Sequence, residues 1–466
     1  MGTELAVGYA SRPALTHALT ASHATLVRDL AALRVAQVRG DARALRLQPG
    51  IRFVQRVAPR ASAAEPAATY APAALAEWQL RATHTDIVPD AALRSAANVE
   101  IAVIDTGADV TAPDIAAKSP LLWNTRSGSG DVRDVNGHGT FVASLAAGSV
   151  TNGDGMSGSG GDAKLMVVKS GSDGGSFTDM DEAAGITYAV DHGARIVNLS
   201  VGGPTTSATE RRAIQYAIDH GALVIAAVGN EFQAGNPVEY PAALLQPVGS
   251  NGVGGAGLAV TASTADGRRA SFANTGSWVS LAAPGEHVLG AVSSASTPLA
   301  YPRSPLVGSK SGLYGYGSGT SFAAPQVAGA AALVWGANPT LTAQQVALIL
   351  KETATGGGRW TSELGFGVID VAAAVTRAQQ GGLQGVLLTG ERVKSRVKLN
   401  WSGQASAYTL AVTTDGRTSR TVIPNTAQTT ATVAVTKGHS YSFTVVALDA
   451  NGSATAISSP ATFVVR

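Results

Sequence analysis

Ser321 stands in the run Gly317-Ser318-Gly319-Thr320-Ser321-Phe322-Ala323-Ala324-Pro325, which places a hydroxyl at the mouth of an apolar helix. The glycines allow close backbone approach, and Pro325 suits a first helical turn, where no N–H is needed. The positive end of the helix favours negative charge developing nearby. Val99, Ile101 and Val103 alternate as a strand that runs into Asp105, within Val103-Ile104-Asp105-Thr106-Gly107. His138, in Asn136-Gly137-His138-Gly139-Thr140, opens a helix-like apolar run over 141–146. A serine hydroxyl is a poor nucleophile near neutral pH and needs a base within reach. Imidazole can take that proton and return it, and a carboxylate can hold its tautomer. Taken singly, each segment has a plainer reading: a Gly-rich cap, a strand-end turn former and a solvated loop histidine.

The elements that must position these groups read as α/β. Lys164 to Lys169, Arg195 to Leu199 and Ala222 to Val228 are short apolar strands. Thr178 to Asp191, Ser207 to His220, the segment after Ser321 and Thr342 to Thr353 have helical patterns. Such alternation over 76–380 predicts a doubly wound, mostly parallel sheet covered on both faces, with the site at the strands' carboxyl ends. Residues 1–60 read as a small α+β unit: a strand over Leu5 to Tyr9, a helix over Thr20 to Leu33, and a closing strand over Arg52 to Val57. An Ala- and Pro-rich linker occupies 61–75. Residues 385–466 change character. Val397 to Trp401, Ala407 to Leu410 and Tyr441 to Val445 alternate between turn signals such as Asp415-Gly416 and Asn451-Gly452, which predicts an all-β sandwich.

A chain of 466 residues, 45% of them hydrophobic and 14% charged, has ample core for two to four domains. Its net charge of +2 is unevenly spread. Residues 1–60 hold nine arginines against Glu4, Asp29 and Asp41, a local +6. Residues 385–466 hold eight basic groups against three acids, a local +5, which leaves −9 for the middle. This pattern favours internal complementarity over nucleic acid, and no basic run with interleaved aromatics occurs. With no cysteine, disulfides, thiolate metal sites and a cysteine nucleophile are excluded. No apolar run is long enough to span a bilayer.

Together, and in the order Asp, His, Ser, the three motifs resemble those of subtilisin-like serine proteases. Two further segments strengthen the likeness. Ala226-Ala227-Val228-Gly229-Asn230 lies where that family places its oxyanion asparagine, and Asn198-Leu199-Ser200-Val201-Gly202 resembles its substrate-binding strand. The resemblance runs from about Trp78 to Ala378. It implies Asp105, His138 and Ser321 as a triad and Asn230 as oxyanion donor with the Ser321 N–H, supported by the Thr320 hydroxyl. It implies a primary pocket walled by Ser200, Val201 and Gly202 and by Ala227, Val228 and Gly229. Glu231 at its rim and Glu239 at its base, before Tyr240-Pro241, would favour Lys or Arg. It implies a structural calcium on Asp114, nine residues past Asp105, with the loop Thr151-Asn152-Gly153-Asp154-Gly155 supplying Asn152 and Asp154. Asp131 and Asp134 are a second metal candidate.

By the same likeness, 1–60 resembles an inhibitory propeptide and 385–466 a fibronectin type III domain. The implied molecule is a secreted, monomeric endopeptidase zymogen acting on protein or peptide substrates, with its own propeptide as intramolecular inhibitor. Because Met1 opens no signal-like segment, a signal peptide is expected to have been removed and Met1 to be an introduced start. Several positions depart from the family pattern. Phe141 and Gln326 stand where histidines are usual, Gly158-Ser159-Gly160-Gly161-Asp162 replaces the usual Gly-Val-Ala-Pro, and Phe322 replaces a methionine. The loss of that thioether removes an oxidation target. Two alternatives stay open: a catalytically silent binding scaffold and an esterase-type acyl hydrolase.

Overall fold

Asp105, Ser200 and Asn230 lie at or just beyond the carboxyl ends of three neighbouring parallel strands, Glu100–Asp105, Ile196–Leu199 and Leu223–Ala227. The computed structural model describes residues 4–62, 77–253, 255–297, 301–302, 313–380, 386–403, 405–415, 418–452, 454–458 and 460–465. Beyond Ser62 the expected linker lies outside the described residues, as does Gly416. The central sheet has seven parallel strands in the order Leu281–Pro284, Leu258–Ser263, Leu223–Ala227, Ile196–Leu199, Glu100–Asp105, Lys164–Lys169 and Leu121–Asn124. Its central strands are buried along their whole length, as expected where helices cover both faces.

One of those helices, Thr320–Ala337, carries Ser321. It is buried on every side from Thr320 to Trp335, the mark of a helix inside a core rather than on it. Its close approach depends on Gly329. A Cβ there would meet the Gly160 nitrogen at 2.6 Å and the Ala146 carbonyl oxygen at 2.7 Å, both backbone atoms that cannot swing away.

Residues 4–56 form a separate antiparallel sheet in the order Thr25–Leu30, Val35–Arg39, Glu4–Tyr9 and Ile51–Arg56. Here the helix expected over Thr20 to Leu33 is corrected. The helix is Arg12–Ala21, capped by the Ser11 hydroxyl on Ala14 N–H and closed at Ser22. Thr25–Leu30 is instead an edge strand paired with Val35–Arg39. The apolar spacing of 20–33 fits either state, and cross-strand pairing decides between them. One face of this sheet packs Leu5, Val7 and Tyr9 on Leu15 and Ala18 of its own helix. The other face sends Ala6, Leu33 and Val35 into a core shared with Met180, Ile186, Ala213 and Ile214.

The C-terminal residues are all-β, as expected. A three-stranded and a five-stranded antiparallel sheet enclose Val397, Trp401, Leu410 and Phe443.

Gly329→Ala tests the packing of the nucleophile's helix. Alanine raises helix propensity by about 1 kcal/mol. Overpacking against fixed backbone costs about 1–3 kcal/mol, which outweighs that gain. The expected result is a melting temperature lower by about 2–6 °C. An equal or higher value in a thermal melt would contradict the packing.

Candidate active site

The Glu100–Asp105 strand ends in a turn that points Asp105 at the first turn of the His138–Ala147 helix. His138 Nδ1 lies 2.7 Å from Asp105 Oδ1, and that oxygen also accepts the Thr106 N–H at 2.7 Å. His138 is 1% exposed and Asp105 has no exposed surface, so their attraction is little screened by solvent. The approach of helix to turn requires Gly139, where a Cβ would stand 2.2 Å from the Gly107 carbonyl oxygen.

The group that holds this corner is Asp134, which the sequence suggested as a metal candidate and not in this role. Asp134 Oδ1 accepts from the Thr106 hydroxyl at 2.8 Å and the Gly137 N–H at 2.9 Å. Its Oδ2 accepts from the Thr140 N–H at 2.8 Å and the Thr140 hydroxyl at 2.6 Å. Four donors consume its acceptor capacity, so Asp134 ties the aspartate turn to the histidine helix and is no metal ligand here. Asp131 sits apart on the surface, where its Oδ1 accepts the Arg133 N–H at 3.2 Å. The signal available in the sequence was an acid four residues before His138, at the start of a helix.

Ser321 is the second residue of its helix, so its N–H has no intrahelical acceptor. Pro325 is the sixth, not part of the first turn as expected, and this placement has a consequence. Its missing N–H would have bonded the Ser321 carbonyl. The Ser200 hydroxyl donates to that carbonyl instead, at 2.7 Å, and accepts from Asn198 Nδ2 at 3.0 Å. In return the Ser321 hydroxyl donates to the Ser200 carbonyl at 3.1 Å. Ser321, the expected nucleophile, and the start of the expected substrate strand Ser200, Val201 and Gly202 are therefore locked together.

Asn230 follows Ala227, Val228 and Gly229 out of the sheet. Its Oδ1 accepts the Thr320 N–H at 2.8 Å and the Thr320 hydroxyl at 2.9 Å. That fixes the amide so that Nδ2 points away from Thr320. Nδ2 is buried and has no hydrogen-bond partner among the described residues. A buried, oriented, unpartnered donor is costly unless something else is meant to take it.

The Glu239 carboxyl lies between the two expected pocket walls. A Cβ at Gly202 would meet its Oε2 at 2.7 Å, and one at Gly229 its Cδ at 2.9 Å and Glu231 Oε2 at 2.8 Å. Burial pushes the Glu239 carboxyl up to about 8, and the Glu231 charge and hydrogen bond push the same way. Glu239 therefore stays protonated near neutral pH.

Asp114 and Asn152 also meet. Asn152 Nδ2 donates to Asp114 Oδ1 at 2.8 Å, and the Tyr314 hydroxyl to Oδ2 at 2.7 Å. Burial raises the Asp114 carboxyl, and the Asp154 charge adds to the rise. No cluster of three or more His, Cys, Asp or Glu side chains suited to a metal exists among the described residues.

The family model of the subtilases matches residues 96–367, a span that holds Asp105, His138, Asn230 and Ser321. The chain is 33% identical over 252 residues to the thermophilic serine proteinase of Bacillus sp. strain AK1, covering 54% of this chain and 55% of that one. It therefore spans about half the length of that relative. Subtilisin DY of Bacillus licheniformis is 35% identical over 280 residues, covering 60% of this chain and 91% of its own. Among solved structures, fervidolysin of Fervidobacterium pennivorans, described as a keratinolytic enzyme related to subtilisin, superposes with a TM-score of 0.68 at 22% identity, covering all of this chain and 76% of that one. That likeness concerns the fold. A hydrogen-bonded Asp–His pair, a serine at a helix mouth and an unpartnered asparagine amide all fall inside a family match over more than half of the sequence: the chain belongs to the subtilase family of serine endopeptidases.

Proposed function

We propose that the chain hydrolyses peptide bonds through an acyl-enzyme, and that residues 1–60 hold it as a zymogen. The observation that carries this reading is the Asn230 amide, buried and unpartnered beside the nucleophile. In the reaction, Ser321 Oγ bonds to the substrate carbonyl carbon while His138 Nε2 takes the hydroxyl proton. The carbonyl electrons move to oxygen, where Asn230 Nδ2 and the Ser321 N–H donate to the new oxyanion. Asp105 keeps the Nδ1 proton in place and stabilises the imidazolium. The intermediate collapses as His138 gives its proton to the leaving amine. Water then attacks the acyl-serine by the same route. A silent scaffold would leave the Asn230 donor unexplained. All four groups come from one chain, which supports a monomer. Secretion is carried by the resemblance alone; no helix among the described residues is long and apolar enough to cross a membrane.

Ser321→Ala should lower turnover on casein by about 10⁶-fold, the scale seen for subtilisin's own serine. It should also leave the chain uncut within 61–75, where self-processing is expected. Labelling by an organofluorophosphate at any residue other than Ser321 would refute the assignment.

The acid pair at the pocket gives specificity a pH dependence. Glu239 keeps its proton up to about pH 8, so the pocket gains a negative charge as pH rises past that value. The ratio of kcat/KM for Arg over Phe at the acyl residue should therefore rise between pH 7 and pH 9. Glu239→Gln should flatten that rise. A ratio that is constant with pH in the unmodified protein would count against the pocket.

Calcium is proposed at Asp114. The buried Asp114 carboxyl, raised by burial and by the Asp154 charge beside it, supports it, and the nearby groups of Asn152 and Tyr314 offer hard oxygens. Asn152 would have to turn its amide so that Oδ1 replaces Nδ2. Bound ion stabilises the folded form by mass action. Chelation should lower the melting temperature of the unmodified chain and leave Asp114→Asn nearly unaffected; identical melts with and without chelator would dismiss the ion.

A further inference from the structure

The strand Pro59–Ser62 comes from the N-terminal part of the chain, yet it is the middle strand of a sheet whose other members belong to the catalytic unit. On one side it pairs antiparallel with Val201–Gly202, Ser62 opposite Val201 and Ala61 opposite Gly202. On the other it pairs with Ser176–Thr178, Arg60 opposite Phe177. Val201 directly follows Ser200, whose carbonyl oxygen is 3.1 Å from Ser321 Oγ. The strand therefore lies along the rail that leads to the nucleophile. A substrate on that rail presents the carbonyl to be attacked from the residue opposite Ser200. The place of Ser62 is then the second residue on the acyl side, that of Ala61 the third, and that of Arg60 the fourth.

The Arg60 side chain at that fourth place has no exposed surface. It enters a closed pocket. Glu210 Oε1 lies 3.0 Å from Nη2 and 3.1 Å from Nε, and Glu182 Oε2 lies 3.6 Å from Nε. Nη1 donates to the Pro59 carbonyl at 2.8 Å. The side chains of both acids are fully buried as well. Neither oxygen of Glu182 accepts a hydrogen bond among the described residues. Burial, and then the neighbouring Glu210, raises the Glu182 carboxyl well above its usual range, and burial raises Glu210 too, so ionising this pair calls for a cation between them. Two buried carboxylates without a cation are strongly disfavoured. A plainer reading is that the cluster only fastens the N-terminal unit. But Glu182 and Glu210 sit on the helices Asp179–Asp191 and Ala208–Asp219. They belong to the catalytic unit and remain when a substrate strand takes the place of Pro59–Ser62.

We propose that Glu182 and Glu210 form a subsite that selects arginine four residues to the acyl side of the cut. The preferred substrates are then proteins and peptides with a basic side chain at that place. Arginine suits it better than lysine, because a planar fork meets one carboxylate through two nitrogens and still faces the second. The proposal rests on the peptidase reading and deepens it.

The test uses quenched fluorescent peptides that differ only at this position, carrying Arg, Lys or Leu. With the unmodified protein, kcat/KM for the Arg peptide should exceed that for Leu by at least about tenfold, with Lys between. Glu210→Gln should reduce the Arg advantage to below about threefold. Equal rates for the three peptides, or a preference for Leu, in the unmodified protein would overturn the subsite and leave the peptidase reading standing. That comparison needs no variant, so it holds even if Glu210→Gln fails to fold. Cleavage of no peptide, together with no labelling of Ser321, would overturn both.

Discussion

The exchange of hydrogen bonds between Ser200 and Ser321 is the joint on which the site turns. It exists because Pro325 has no N–H to give the Ser321 carbonyl. A helix that would normally satisfy its own backbone instead offers an acceptor sideways, and the Ser200 hydroxyl takes it at 2.7 Å. Ser321, the proposed nucleophile, is thereby fixed to the strand proposed to carry the substrate. Asn230 is oriented from the same helix, through Thr320. The parallel sheet brings the three strand ends together, and the carbonyl left open by Pro325 ties the helix end to them.

Charge is distributed to match this arrangement. The acids that give the middle of the chain its negative balance gather in part at the starts of two helices: Asp179, Asp181 and Glu182 on one, Glu210 on the other. Helix N-termini favour such groups. The N-terminal unit answers with Arg28 on Asp181 and Arg60 between Glu182 and Glu210. Its Gln55 side chain accepts the Ala208 N–H at 3.2 Å, and Asp179 accepts the Ala58 N–H at 2.9 Å. Inside this polar rim the apolar seam of Ala6, Leu33 and Val35 is continuous with the catalytic core. Salt weakens the rim and leaves the seam.

Much of this was legible in the sequence, for identifiable reasons. Strands buried on both faces read as short apolar runs, so Lys164–Lys169 and its neighbours stood out. Asp105, His138, Ser321 and Asn230, the residues proposed for catalysis, stood out because each lies at a turn built from glycine. What stayed hidden depends on contacts distant in the chain. Thr25–Leu30 has a pattern that suits a helix until Val35–Arg39 pairs with it. Asp134 looked like an acid for a metal, and only the fold brings Thr106 back to it across 28 residues. Arg60 gave no signal at all, since its partners lie more than a hundred residues away on two helices.

The close approaches at Gly139 and Gly329 are made by backbone against backbone. The walls proposed to meet a substrate are made by side chains: Glu231 and Glu239 in one place, Glu182 and Glu210 in another. The two kinds of contact respond differently to change. On that proposal, replacing a wall carboxylate alters which polypeptides are taken and leaves the backbone in place, whereas almost any replacement at the glycines moves it. Over long descent, appetite in this scaffold is free to drift while the chemistry is held fixed. A protein engineer who wants a new diet should leave the helix contacts alone and rewrite those four acids.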